Sequence, residues 1–202
     1  MQLLDAAFTR RMTRDFSDEE VALPELDTLL AAANRAPSAG LSEGVDLLVL
    51  SSAVRRERFW QLLGDEAWLA DETRSAPLRR APLVLLPVAD PSAYLDRYGA
   101  PDKAASSLSG LSLGEWPVAY WTVDAAFAVM TLLLGAEVLG LGALFFHLHG
   151  REETLIDGLG LPPGRVLIGA VALGHRRGGG APPTSLTRRR RGLDEVVHRD
   201  EW

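Results

Sequence analysis

The chain of 202 residues contains no cysteine. This absence excludes disulfide bonds, thiolate metal sites and cysteine nucleophiles, and it is typical of a reducing compartment. The first sixteen residues also lack the basic-then-apolar pattern of a secretory signal peptide. From the sequence we therefore expect a cytoplasmic protein.

Positive charge is scarcer than negative charge. Lysine and arginine number 21 against 27 aspartates and glutamates, which gives a formal net charge of -6 at pH 7. A surface of this sign repels nucleic-acid phosphates, so general nucleic-acid binding is not expected. The exception is the run of four arginines at residues 188–191. Such a run forms a solvated patch, contacts nucleic acid, or neutralises a bound phosphate.

Several catalytic motifs are missing. The sequence has no Gly-x-Ser-x-Gly elbow, no Walker loop and no Gly-x-Gly-x-x-Gly after a strand, so neither triad hydrolysis nor a standard nucleotide loop is indicated. His147 and His149 are two residues apart, a spacing that would place both on one face of a strand. No third ligand is near in sequence, and we therefore expect no metal site.

No uninterrupted apolar run reaches the roughly 20 residues that a membrane span requires. The longest candidate, residues 125–136, carries no charge and is apolar on every face apart from Thr131 and Gly135. Glu137 then interrupts it, and Gly140 follows. A helix that is apolar all round and too short to span is typical of a protein core. We predict a buried central helix at about residues 121–139 and no membrane segment.

The remaining hydrophobic pattern alternates between helices and apolar strands. It predicts strands over residues 45–50, 81–89, 141–148 and 165–174, and helices over residues 3–12, 23–36, 53–64 and 151–159. Residues 90–118 are the least regular part of the chain and include a long stretch of small and polar residues. A loop of this length in a compact domain usually carries function, and we consider residues 90–118 a candidate lid.

Two groups of residues could hold an anion. Arg10, Arg11 and Arg14 lie within five positions, where guanidinium groups form either a solvated face or a phosphate site. Residues 35–44 are small and include two glycines, as in a plain connector or a loop that approaches a ligand closely. With the arginines at residues 188–191, these groups could converge on one anionic cofactor, which would supply the chemistry that the side chains lack.

The motifs that carry these residues occur in a recognisable order. They are Arg10-Arg11-Met12-Thr13-Arg14-Asp15-Phe16, Ala36-Pro37-Ser38-Ala39-Gly40, Gly140-Leu141-Gly142, Ala172-Leu173-Gly174 and the segment that begins at Arg188. In this order and spacing the chain resembles the nitroreductase family of FMN enzymes over nearly its whole length.

The resemblance implies an α+β fold, a sandwich with a mostly antiparallel central sheet wrapped by helices. It implies one nitroreductase-like domain over residues 1–202 and a homodimer with two FMN sites at the subunit interface. The C-terminal arm, residues 176–202, would embrace the partner subunit in the manner of a domain swap. The central helix would lie at the interface, and arginine at Val129 or Leu133 would then abolish both the dimer and flavin binding.

The resemblance also implies roles for particular residues. Arg10 and Arg11 would contact the flavin phosphate and ribityl chain, Arg14 would face the pyrimidine edge, and Arg188 and Arg190 would close on the phosphate. Met12 and Leu41 would also bind the cofactor, and Pro37, Ser38 and Ala39 would reach it from the partner chain. Phe146 and His147 would lie near the ring, where a backbone N–H usually faces N5.

This chain departs from the family pattern at two places. Met12 stands where many relatives have serine, and residues 41–45 read Leu-Ser-Glu-Gly-Val where relatives commonly read Asn-Ser-Gln-Pro-Trp. A leucine at residue 41 is similar to the flavin-cleaving dimethylbenzimidazole synthase branch.

Three functional hypotheses follow from the resemblance. The first is an FMN oxidoreductase in which NADH or NADPH reduces the flavin and a nitro compound, quinone or related acceptor reoxidises it, with ping-pong kinetics. The second is fragmentation of reduced FMN by O2. The third is a non-catalytic flavin-binding or regulatory dimer. Nucleic-acid binding by residues 188–191 is a weaker alternative.

Overall fold

A computed structural model describes residues 2–178 and 189–202. The α-helices are α1 (Leu3–Thr9), α2 (Leu23–Ala33), α3 (Ala53–Leu63), α4 (Glu66–Ala70), α5 (Glu72–Arg79), α6 (Pro91–Tyr98), α7 (Tyr120–Val138) and α8 (Glu152–Leu159). The strands are β1 (Val45–Leu50), β2 (Leu83–Ala89), β3 (Gly142–Phe146), β4 (Val166–Leu167) and β5 (Ala170–Gly174).

The strands form one sheet in the order β1-β2-β5-β3, and β4 pairs with β2. Each pairing between these strands is antiparallel. Every residue of β2 is buried, as expected for an apolar strand with neighbours on both sides. Helices pack on both faces of the sheet, and the predicted α+β sandwich is confirmed.

The central helix α7 lies against α1, α2 and the sheet. Its bounds agree with the predicted 121–139 to within one residue at each end. Among the described residues it is the helix whose length and composition would also suit a membrane span. One side of α7 contributes Leu132, Leu133 and Ala136 to an apolar cluster shared with α2 and the strands, which makes α7 a core helix.

Another side of α7 is not buried within the chain. Phe127 and Met130 are each 44% exposed, and their spacing of three residues places them on one side of the helix. The expectation that α7 is buried on every face is therefore wrong for a single chain. By contrast, Val129 and Leu133 are only 4% and 5% exposed in the chain's own core, so arginine at either position would test folding rather than dimerisation.

A second apolar cluster fills the opposite face of the sheet, under α3 and α8. Its aromatic centre is Trp60, whose ring stacks on Phe146 with centroids 5.7 Å apart. Phe59 packs edge-on against Trp60 at 4.9 Å. This cluster fixes the end of β3, the strand that leads towards the expected flavin ring.

The structure corrects two local predictions, and it contains two helices over residues for which no element was predicted. The predicted strand 165–174 is divided into β4 and β5 at Gly169, whose φ of +151° and close approach to the Phe145 ring leave no room for a Cβ atom. The polar residues 65–80 form α4 and α5, which begin at the capping side chains of Asp65 and Asp71. Helix α1 ends at Thr9 rather than at residue 12.

Candidate functional site

The arginine-rich residues 10–14, called here the cationic segment, follow α1 and lie beside the edge strand β3. Met12 forms a parallel bridge with Ala143, and the Thr13 N–H donates to the Ala143 carbonyl at 2.9 Å. A few residues further on, Phe16 pairs with Arg176. Helix α1 therefore stops at Thr9 because the chain extends to bond with the edge of the sheet.

No carboxylate in the described part of the chain neutralises the guanidinium groups of the cationic segment. None of the ion pairs found in the described residues includes Arg10, Arg11 or Arg14. The Nη1 atom of Arg10 is buried and has no hydrogen-bond partner in the described chain. A buried donor without a partner is costly, and its presence among three unpaired cations is typical of an anion site.

Arg11 has a local contact that the sequence did not indicate. Its Nη1 donates to the carbonyls of Phe8, Thr9 and Arg10 at 3.1–3.3 Å. These carbonyls lie at the C-terminal end of α1, where a helix has unpaired acceptors and a partial negative charge. Arg11 therefore stabilises the end of α1 and adds positive charge beside Arg10.

An ion pair between a buried carboxylate and a partly exposed arginine lies beside the cationic segment. Glu137, only 7% exposed near the end of α7, pairs with Arg176. The Thr9 hydroxyl donates to Glu137 at 3.0 Å, and Arg176 Nε donates to the Thr13 hydroxyl at 3.3 Å. Gly142 makes room for this arrangement, since a Cβ there would meet Thr13 and Arg176 at 2.7–2.9 Å.

Phe146 is the last residue of β3, and His147 follows it directly. Both residues were expected near the ring. The Phe146 ring is stacked on Trp60 in the core, so its backbone, rather than its ring, is available at the strand's end. His147 is exposed, and its Nδ1 accepts the His149 N–H at 2.8 Å.

The prediction that the two histidines share a strand face is wrong. Strand β3 ends at Phe146, and His149 has a φ of +56° in the turn that follows. Within the described residues, no group of three or more His, Cys, Asp or Glu side chains is placed to hold a metal ion.

The small-residue loop forms a turn at residues 38–43, called here the left-handed turn. Gly40, Leu41 and Glu43 have φ angles of +63°, +57° and +51°. Glycine adopts this region freely, whereas a leucine or glutamate there costs about 1–2 kcal/mol. Strain of this kind persists only where surrounding contacts fix the backbone, and it is concentrated at functional sites.

Asp124, near the start of α7, provides one of these contacts. Its Oδ2 accepts the Ala39 N–H at 2.8 Å and the Tyr94 hydroxyl at 2.7 Å. Asp124 is 3% exposed and Tyr94 is fully buried. Burial raises the pKa of Tyr94 well above its usual range, and the hydrogen bond to Asp124 raises it further. The phenol therefore stays protonated and acts as a permanent donor.

Arg97 holds the left-handed turn from α6. Its Nε donates to the Gly40 carbonyl at 2.7 Å, and its two Nη atoms bond to both oxygens of Asp102 at 2.9 and 2.7 Å. This hydrogen bonding holds the pKa of Asp102 below its usual value and raises that of Arg97. One guanidinium, itself within the candidate lid, thus bonds both to the turn and to Asp102.

A cavity of about 520 Å³ lies between the left-handed turn, α2, β1 and α7. The expected cofactor contacts Pro37, Ser38 and Leu41 border it, and Leu41 is 72% exposed. The charged side chains on its wall are Arg35, Glu43, Asp46 and Asp124. Its volume is within the range of small-molecule sites, which is about 300–1,000 Å³.

The two parts of the candidate site lie far apart within one chain. The left-handed turn bonds to Asp124 at the start of α7, and the cationic segment bonds to Glu137 at its end. With a helical rise of about 1.5 Å per residue, these carboxylates lie roughly 20 Å apart along the axis. The structure therefore groups Arg10, Arg11, Met12 and Arg14 with β3, and groups Pro37, Ser38, Ala39 and Leu41 with the cavity.

The C-terminal arginines are only partly described. Arg188 lies outside the described residues. Arg190 is exposed, while Arg189 and Arg191 both bond to Glu195 in the same segment. The predicted phosphate contacts of Arg188 and Arg190 stay predictions.

The chain is similar in sequence to one known protein family and to individual members of it. The sequence matches the Nitroreductase family over residues 7–109. An Archaeoglobus fulgidus protein named as an NADH dehydrogenase/NAD(P)H nitroreductase is 27% identical over 177 residues, which cover 86% of this chain and 85% of that protein. A Bacillus subtilis protein named FMN reductase (NAD(P)H) is 26% identical over 179 residues, 86% of this chain and 66% of its own length.

Solved structures agree on the fold. A Parabacteroides distasonis protein described as an NADH dehydrogenase/NAD(P)H nitroreductase superposes with a TM-score of 0.71 at 18% identity, covering 100% of this chain and 99% of its own. B. megaterium NfrA2 gives 0.75 at 22% identity, covering 100% and 76%. The chain belongs to the nitroreductase family, and it is an oxidoreductase of the nitroreductase fold.

Proposed function

We propose that the protein is an FMN-dependent oxidoreductase that uses NADH or NADPH to reduce a nitro compound, a quinone or a related small acceptor in the cytoplasm. The observation that carries this proposal is the cationic segment: within residues 2–178 and 189–202, Arg10, Arg11 and Arg14 have no carboxylate partner and Arg10 Nη1 is a buried donor without an acceptor. The residues present therefore fit the phosphate of a flavin nucleotide.

Particular residues would hold the cofactor. Arg10 and Arg11 would bind the phosphate, and Arg14 would place positive charge near the pyrimidine edge, where reduction adds negative charge. Met12 lies between them, bonded to β3. The backbone at Phe146 and His147 would face the ring, since the Phe146 side chain is in the core. Arg188 and Arg190 would complete the phosphate contacts from the C-terminal segment.

Bound FMN would supply the redox chemistry, because no side chain of the chain can accept a hydride. The protein's part is to bind, orient and exclude water. The nicotinamide nucleotide and the acceptor would occupy the same open face in turn, which predicts ping-pong kinetics. The cavity beside Leu41 is the space that we assign to the second substrate.

The proposal includes a homodimer. Within one chain the left-handed turn and the cationic segment are separated by most of the length of α7, so one chain cannot close both on a single flavin. Pro37, Ser38, Ala39 and Leu41 would therefore reach the cofactor bound by the partner subunit. Phe127 and Met130 are exposed on α7, and Leu4 and Phe8 are exposed on α1, the helix that packs against α7. This apolar surface is the proposed interface.

We further propose that residues 1–202 form one nitroreductase-like domain, with residues 90–118 as a lid. The arm, residues 176–202, would cover the partner subunit. Supporting this, Leu193 and Trp202 in the described part of the arm are 78% and 100% exposed. Apolar side chains exposed in this way are expected to be covered in an assembly.

The decisive experiment compares FMN with riboflavin, which lacks the phosphate. Wild-type protein should bind FMN at least tenfold more tightly than riboflavin, and Arg10→Gln should remove most of that difference with little effect on riboflavin. The FMN complex should bleach on addition of NADH or NADPH and recover its colour with a nitroarene or quinone. A wild-type protein that binds neither flavin contradicts the proposal, and fragmented FMN after turnover indicates the flavin-cleaving alternative instead.

A further inference from the structure

The left-handed turn is held in its conformation by residues that lie outside it. Gly40, Leu41 and Glu43 all have positive φ, and two of them are residue types that disfavour this region. Within the turn, the Ser38 hydroxyl accepts the Glu43 N–H at 3.2 Å and the Ser42 hydroxyl donates to the Ala39 carbonyl at 2.6 Å. These local bonds are exposed or half-buried and do not tie the turn to the rest of the protein.

The contacts that connect the left-handed turn to the rest of the protein come from α6 and α7. Asp124 accepts the Ala39 N–H, Arg97 donates to the Gly40 carbonyl, and the Tyr98 ring lies under Gly40 so closely that a Cβ there would be 3.0 Å away. The Ala39 N–H and the Gly40 carbonyl are thus each fixed by a side chain of another helix.

Tyr94 helps to fix the orientation of the Asp124 carboxylate. Both the Tyr94 hydroxyl and the Ala39 N–H bond to the same oxygen, Oδ2. Among the described residues no cation pairs with this buried carboxylate, so its orientation depends on these donors. The Tyr94 ring is itself wedged edge-on against Trp116 and Trp121, at 6.3 and 6.1 Å.

We propose that Tyr94, Asp124 and Arg97 are positioning residues that fix the left-handed turn in the conformation required for binding flavin across the subunit interface. The inference rests on the proposed function, because it assigns the turn to the cofactor site. It adds residues of α6 and α7 that make no contact with the flavin and act through Ala39 and Gly40.

Arg97 gives this arrangement a second consequence. Arg97 and Asp102 both belong to the candidate lid, residues 90–118, and the Arg97 guanidinium bonds to the turn through Nε and to Asp102 through both Nη atoms. A change in the lid that displaces Asp102 is therefore transmitted to the Gly40 carbonyl. One side chain therefore joins the turn to residue 102 of the lid.

Two substitutions test the proposal, each with a matched control. Tyr94→Phe removes only the hydroxyl, and Tyr120→Phe removes a hydroxyl from the same aromatic cluster without an Asp124 contact. Arg97→Met removes the bonds to Gly40 and Asp102, and Arg79→Met removes a surface ion pair with Glu57 from a side chain of similar exposure, 25% against 27%.

Two readouts are independent of catalysis. In the FMN-free protein, amide hydrogen exchange of Ala39, Leu41 and Ser42, whose N–H groups are bonded in the turn, should be accelerated in Tyr94→Phe and Arg97→Met and unchanged in both controls. In the FMN complex, the dissociation constant should rise about tenfold in each test variant, the loss typical of one hydrogen bond to a charged group. The visible circular dichroism of bound FMN should change in the test variants alone.

The two possible failures are read from different experiments. Unchanged exchange, FMN affinity and circular dichroism in Tyr94→Phe and Arg97→Met, with only a lower melting temperature, would show that these contacts are merely structural and overturn the inference. Wild-type protein that binds no FMN would overturn the proposed function, and with it the assignment of the turn to a flavin, whatever the exchange experiment shows.

Discussion

Asp124 and Glu137 are buried carboxylates near opposite ends of α7, and each accepts a hydrogen bond from a different part of the candidate site. Asp124 bonds to Ala39 in the left-handed turn, and Glu137 bonds to Thr9 beside the cationic segment. The only charges on an otherwise apolar core helix thus fix the distance between the two parts. This relationship makes α7 the element on which the site depends.

The exposed side of α7 predicts the outcome of interface substitutions. Phe127→Arg or Met130→Arg should produce a folded monomer with little affinity for FMN, because a charge in a desolvated interface is strongly unfavourable. Sedimentation equilibrium would measure the mass. Val54→Arg, at a residue 78% exposed on α3, should remain dimeric.

A core substitution on the opposite side of α7 separates folding from association. Leu132 is 1% exposed. Leu132→Ala should lower the protein's free energy of unfolding by about 2–5 kcal/mol, which urea unfolding would measure. A dimeric Phe127→Arg protein that binds FMN normally would contradict the proposed interface.

The positions of the main helix and of a buried strand were predictable from the hydrophobic pattern, whereas the antiparallel sheet was implied by the resemblance to the family. The absence of charge over residues 125–136 indicated α7, and the apolar run that contains β2 indicated a strand. What could not be predicted was which side of α7 remains exposed. A helix that is apolar on every face has no periodicity to distinguish a core side from an interface side.

The candidate site was predictable only where its residues are close in sequence. Arg10, Arg11 and Arg14 form a visible cluster, whereas Arg176 is the first residue of the predicted arm, residues 176–202, and was given no role in the site. Its pairing with Glu137 depends on the topology of the sheet. The positive φ of Leu41 was also hidden, since leucine gives no local signal for this conformation.

The strain at Leu41 leads to a prediction about stability. Leu41→Asn should stabilise the FMN-free protein by about 1 kcal/mol, because asparagine tolerates positive φ better than leucine. Gly40→Ala should destabilise it by at least as much, since its φ is +63° and the new Cβ would lie 3.0 Å from the Tyr98 ring. Thermal unfolding of the FMN-free proteins would compare them, and equal melting temperatures would argue against strain in the turn.

The ion pair beside the cationic segment is expected to be strongly coupled. Arg176→Met leaves the buried Glu137 carboxylate without its cation and should cost about 1–3 kcal/mol, less than a fully buried pair because Arg176 is partly exposed. Glu137→Gln combined with Arg176→Met should cost less than the sum of the single changes. Strict additivity in urea unfolding would show that the two side chains do not stabilise each other.

The raised pKa of Tyr94 predicts a specific loss of stability in alkaline solution. Burial and the bond to Asp124 favour the protonated phenol in the folded state, whereas an unfolded tyrosine ionises near pH 10. The contribution of Tyr94 to stability is therefore complete below about pH 10 and is lost as the pH rises above that value.

Wild-type protein should be about 2 kcal/mol more stable than Tyr94→Phe at neutral pH, and the difference should narrow above about pH 10. Urea unfolding over this range would measure it, with Tyr120→Phe as the control for loss of a phenol outside the Asp124 contact. A difference that stays constant as the pH rises would mean that Tyr94 ionises as easily in the folded chain as in the unfolded one.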